Sequence, residues 1–81
     1  MGAVLVRFYA GAADAAGCRE ENVTADTVGA LRTALLQRHG DRLSRILAAS
    51  TVLIGDERVT SDEFTLRDDT LVEILPPYAG G

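Results

Sequence analysis

The chain has 81 residues, 47% of them hydrophobic, and a formal net charge of −4. That length allows one small domain with a thin core, since a fold of this size hides only about 60% of its unfolded surface. The apolar fraction is too high for a disordered chain, no run approaches the ~18 apolar residues of a membrane span, and an acidic surface repels phosphate backbones, so neither a membrane nor nucleic acid is expected as a partner.

No basic segment followed by a long apolar core opens the chain, and the single cysteine, Cys18, has no second thiol to pair with. Both features fit a reducing, cytoplasmic setting. All eight basic residues are arginine, which reads first as the usage of a genome that favours arginine codons.

In chain order, Ala3–Ala10 alternates Val4, Val6 and Phe8 with Leu5, Arg7 and Tyr9, and this period of two predicts a strand. Gly11–Gly17 is made of small residues and reads as a turn. A weaker strand follows over Arg19–Thr24. Asp26 or Thr27 can cap a helix whose apolar stripe is Val28, Leu31 and Leu35, flanked by Ala34 and Leu36. Arg38 and His39 suit its last turn, and Gly40 ends it. A second helical segment, Arg42–Ala49, presents Leu43, Ile46 and Leu47, with Asp41 as the expected cap.

Thr51–Ile54 is expected to be a strand, turning at Gly55-Asp56 into a short strand over Glu57–Val59. Phe64 and Leu66 are expected to plug the core from a loop. After a turn at Arg67-Asp68-Asp69, Thr70–Leu75 is the last strand, with Val72 and Ile74 on one face. Pro76-Pro77 ends regular pairing, because proline offers a sheet no donor. The order is strand, strand, helix, short helix, strand, short strand, strand. A mixed sheet with one main helix on one face buries both apolar surfaces in two layers. The helical stripe should meet Val4, Val6, Phe8, Val72 and Ile74.

Most titratable residues read as ordinary surface. Cys18 has only Arg19 beside it and reads as a structural thiol rather than a sulfur relay. His39 reads as a surface residue compatible with the helix dipole. Glu20-Glu21, Asp62-Glu63 and Asp68-Asp69 read as solvated charge, and no ligand spacing points to a metal. No Gly-rich phosphate loop, Cys-x-x-Cys pair or Ser–His arrangement is visible.

The strand order, the first strand VLVRFYA and the final LPPYAGG together resemble the MoaD/ThiS family of ubiquitin-like sulfur carriers, most closely the small subunit of molybdopterin synthase. The resemblance covers the whole chain. Two turns depart from the family's pattern: its usual Asn-Gly turn is Ile54-Gly55-Asp56 here, and its usual Asp-Gly-Asp is Asp68-Asp69-Thr70. The resemblance implies an α+β, β-grasp (ubiquitin-like) domain over residues 1–75, with four to five strands, and a C-terminal tail over 76–81.

It also implies a chemistry. The Gly81 carboxylate would be adenylated by an ATP-dependent activating enzyme and converted to a thiocarboxylate, so sulfur is carried covalently with no bound cofactor. Gly80 and Ala79 would thread the tail through a narrow channel, since glycine accepts almost any backbone angle. Pro76 and Pro77 would stiffen the exit from the sheet. Tyr78 and Leu75 form a large apolar pair beside the tail and read, with Pro76 and Pro77, as surface for the partners that the resemblance implies: the activating enzyme and the large synthase subunit or another acceptor enzyme; the alternative is that Leu75 simply finishes the core. The carrier alone would not catalyse. Carriage for thiamine, cysteine or natural-product synthesis, protein modification through Gly81, and a passive interaction module are the competing functions. Chain building of the ubiquitin type is disfavoured, because no internal lysine exists to accept another copy.

Overall fold

In the computed structural model, residues 2–77 are described. They form β1 (Gly2–Phe8), α1 (Ala10–Ala16), β2 (Glu20–Ala25), α2 (Val28–His39), α3 (Asp41–Ala49), β3 (Thr51–Ile54), β4 (Glu57–Arg58) and β5 (Leu71–Leu75). The five strands make one sheet in the order β2-β1-β5-β3-β4. β1 and β5 run parallel, with Val6 opposite Val72 and Phe8 opposite Ile74. The other three pairings are antiparallel. The last strand of the sequence therefore lies at the centre of the sheet.

The alternation predicted for β1 holds: Val4, Val6 and Phe8 are buried while Leu5 and Arg7 are only partly covered. One core cluster joins these residues with Val23, Val52, Val72 and Ile74 of the sheet, Val28, Leu31 and Leu35 of α2, and Leu43 and Leu47 of α3. Thr27 caps α2 as expected, its Oγ1 accepting from the Ala30 N–H at 3.1 Å. Leu66 is buried and Phe64 packs against the core. Their loop is tied to the start of α2 by Val28 N–H to the Phe64 carbonyl at 3.1 Å and Leu66 N–H to the Asp26 carbonyl at 2.8 Å.

Two local expectations fail. Gly11–Gly17 is not a turn, because Ala10–Ala16 forms α1, closed by Gly17 at φ 75° with its N–H on the Ala13 carbonyl. Alanine has the strongest helix preference, and its small side chain lets Ala12 sit fully buried. Nor does Asp41 cap α3. Gly40, at φ 75° and ψ −159°, serves as the hinge between α2 and α3, so Asp41 becomes the first helical residue. There its charge still favours the positive helix end. Strand limits shift by one or two residues, as at Val59, whose N–H bonds to the Val52 carbonyl without extending β4.

Candidate functional site

The chain leaves the sheet from its centre. Along β5, Val72 and Ile74 point into the core, so Leu71, Glu73 and Leu75 lie on the opposite face. Residues directly opposite in register share a face. Leu5 stands opposite Leu71, Arg7 and Leu53 flank Glu73, and Thr51 stands opposite Leu75. The result is a sheet face, away from the helices, on which Leu5, Leu53, Leu71 and Leu75 are each half-buried. Leu75 thus belongs to that open face and does not complete the core.

Tyr9 fixes the exit point of the tail. Its N–H donates to the Ile74 carbonyl at 3.2 Å, extending the β1–β5 pairing, and its hydroxyl donates to Glu73 Oε2 at 2.5 Å. Pro76 is half-buried and Pro77 exposed. Tyr78, Ala79, Gly80 and Gly81, the residues on which the sequence puts the chemistry, lie outside the described residues. Beside the exit, a groove of about 600 Å³ is lined by Arg7, Tyr9, Ala10, Ala13, Arg19 and Glu20, and Arg7 Nε pairs there with Glu20 Oε2 at 2.7 Å.

The residues read as solvated charge or surface are in part neither. Glu21 and His39 are only 16% and 15% exposed at their side chains. Glu21 Oε2 accepts from Arg38 Nη1 at 2.7 Å, and its other oxygen pairs with His39 Nε2. Arg38 also donates to the Asn22 carbonyl at 3.0 Å, and the His39 ring stands edge-on to Phe8. Burial pulls the Glu21 carboxyl upward, but the hydrogen bonds from Arg38 and His39 outweigh it and hold the group below its usual range. Cys18 is partly buried with its Sγ 4.0 Å from Glu21 Oε1. Burial first and the Glu21 charge second push its thiol upward, the reverse of a reactive cysteine. Among the described residues no group of three His, Cys, Asp or Glu side chains is arranged to hold a metal ion. No helix among them is long and apolar enough to cross a membrane.

With the tail leaving a central strand of this sheet, comparison with known proteins becomes specific. The model of the ThiS family matches residues 6–81. The chain belongs to the ThiS family. No curated protein matches it. Among solved structures, this ThiS-family chain is similar to SAMP1 from Haloferax volcanii, at 28% identity and a TM-score of 0.79, over 99% of this chain and 100% of that one. It is similar to a chain in the complex of subunits 1 and 2 of molybdopterin-converting factor from Helicobacter pylori, at 24% identity and a TM-score of 0.73, over 96% and 97%. It is also similar to a chain in the BexX/CysO complex from Amycolatopsis orientalis, at 24% identity and a TM-score of 0.80, over 98% and 100%. The fold is that of the ubiquitin-like β-grasp sulfur carriers.

The sequence located the tail base and the family, but not the Glu21–Arg38–His39 cluster. The signal available for the cluster was weak: an acidic pair in β2 and two cations in the last turn of α2, with nothing in their spacing to join them.

Proposed function

We propose that this chain is a sulfur carrier that works as the small subunit of molybdopterin synthase. The Gly81 carboxylate attacks the α-phosphorus of ATP on an activating enzyme, and pyrophosphate leaves. A sulfur nucleophile supplied by the host then attacks the acyl carbon, AMP departs, and a thiocarboxylate remains for delivery inside the large subunit. The observation that carries this proposal is the family match, which runs through Gly80-Gly81 and so includes the tail as well as the domain. The structure supports it by placing the tail base on a central strand fixed by Tyr9, next to a half-apolar sheet face that a partner can cover. The molybdopterin-converting factor and BexX/CysO complexes match at the same 24% identity, so the choice of acceptor leans on the resemblance of VLVRFYA and LPPYAGG to the molybdopterin synthase small subunit, and a different sulfur acceptor is the nearest competitor.

A second reading, attachment to other proteins through Gly81, is favoured by the 28% identity with SAMP1, named a small archaeal modifier protein. Intact-mass measurement of the protein from its own host separates the two. A chain with one terminal oxygen replaced by sulfur supports the carrier, and covalent adducts with host proteins support the modifier. ATP–pyrophosphate exchange with the cognate activating enzyme tests the carboxylate directly, since one residue added after Gly81 should abolish it. Undiminished exchange by the extended protein would overturn the role of Gly81. Copurification with the large synthase subunit, rather than with another acceptor enzyme, tests the pathway.

A further inference from the structure

The Gly81 acyl adenylate of the function proposed above, on which this inference rests, is an electrophile open to any amine or thiolate. The nearest competitor is the carrier's own surface, because a group tethered to the same chain acts at an effective concentration on the order of millimolar. Gly81 lies six residues beyond Leu75, a reach of about 20 Å when extended. Arg19 and Arg58 fall inside that radius. The Arg19 carbonyl accepts from the Phe8 N–H, and Phe8 stands opposite Ile74, so Arg19 is two strand spacings, about 10 Å, from the end of β5. On the other side, Arg58 stands opposite Leu53, which stands opposite Glu73.

The cations on this surface are of one kind. Arg7, Arg32 and Arg38 each face a carboxylate, of Glu20, Asp62 and Glu21, where a planar guanidinium has a structural use. Arg19, Arg42, Arg45, Arg58 and Arg67 are exposed, and among the described residues their side chains make no ion pair or hydrogen bond. At those positions lysine would give the same charge. What differs is reactivity. Near neutral pH about one lysine amine in a thousand is unprotonated and nucleophilic, whereas an arginine guanidinium stays protonated.

The one thiol and the one imidazole are withdrawn as well. Cys18 is partly buried, and burial and the Glu21 charge push its thiol pKa upward. His39 Nε2 is engaged by Glu21. Because β1 and β5 are parallel, the start of β1 at Gly2 lies a full strand length from the tail exit.

We propose that the carrier's surface is inert toward its own activated tail, and that arginine in place of lysine, at Arg19 and Arg58 above all, determines which nucleophile the Gly81 acyl group meets. In the side reaction this prevents, an amine attacks the acyl carbon. The C–N bond forms, the C–O bond to AMP breaks with its electron pair leaving on AMP, and the amine's proton passes to water. The product is a cyclic amide within one chain, or a dimer between two, and either is lost to sulfur transfer.

The test uses the full chain bearing an intein-derived thioester at Gly81, which supplies an acyl electrophile without the activating enzyme. Wild type, R19K and R58K are followed by intact mass, with melting curves alongside to establish that all three are folded. Wild type should lose the thioester by hydrolysis alone. The two variants should accumulate a product lighter than the hydrolysed chain by one water, at least about tenfold above wild type. Equal, low yields of that product in all three proteins would overturn the inference. Failure of the sulfur-carrier function itself has a separate readout, the absence of ATP–pyrophosphate exchange by wild type.

Discussion

Glu21 on β2 and His39 in the last turn of α2 form a side-chain pair although 18 positions separate them in sequence. With Arg38, they clamp the end of the main helix to an edge strand of the sheet. The Glu21 carboxyl titrates below its ordinary range. A carboxyl lowered in the folded state adds stability above its unfolded-state pKa, and that stability is lost as pH falls through the folded value. Glu21→Gln should therefore be less stable than wild type at neutral pH, with the difference shrinking in the acid range. Urea unfolding across that range checks this, and a constant offset at every pH would remove the clamp as its cause.

Leu35 is fully buried between α2 and the sheet, whereas its neighbour Leu36 is 38% exposed. Leu35→Ala should cost about 2–4 kcal/mol through the cavity it opens. Leu36→Ala should stay within about 0.5 kcal/mol of wild type. Equal unfolding midpoints for the two variants would contradict the helix orientation described here.

Cys18 should behave as a sluggish thiol. Its raised pKa predicts slow alkylation by iodoacetamide at neutral pH, with the rate still climbing above the pH at which a free cysteine levels off. Cys18→Ser should leave charging of the tail unchanged. A folded serine variant that is not charged would make the thiol a sulfur relay.

Leu75 on the open sheet face and Tyr78 in the tail are the proposed contacts to the activating enzyme. Changing both to Asp should weaken that complex without unfolding the domain, because Leu75 lies outside the core cluster and Tyr78 follows Pro76-Pro77, beyond the last strand. Calorimetric titration against the enzyme measures this, and unaltered affinity would take the patch out of the interface.

Elements carried by large apolar side chains were legible in the sequence. The spacing of Val28, Leu31 and Leu35 located α2, and the alternation in β1 and β5 located the faces of both strands. α1 was not legible, because Ala12, Ala13, Ala15 and Ala16 carry no contrast between apolar and polar faces, and helical preference alone is a weak signal over seven residues. The family's usual Asp-Gly-Asp turn is replaced at Asp69, which adopts φ 65°, so the backbone keeps the left-handed shape while the residue does not advertise it. The Glu21 cluster was illegible for a different reason: it depends on how β2 and α2 lie together, which no local spacing encodes. At the tail the balance reverses, since Pro76-Pro77 and Gly80-Gly81 are conspicuous in the sequence and only the first pair falls within the described residues.

The central position of β5 ties manufacture to use. Through the sheet, the hairpin of β1 and β2 meets the hairpin of β3 and β4 only by way of residues 71–75. Without that segment the sheet is two separate strand pairs, joined only through the helices and the core, with no strand to carry the tail. The strand that joins the two pairs, with Val72 and Ile74 in the core, is thus also the strand from which the tail departs. On the proposed function, a partner that grips the face carrying Leu5, Leu53, Leu71 and Leu75 takes hold of three strands at once, and only a chain with β5 in place presents that face together with its tail.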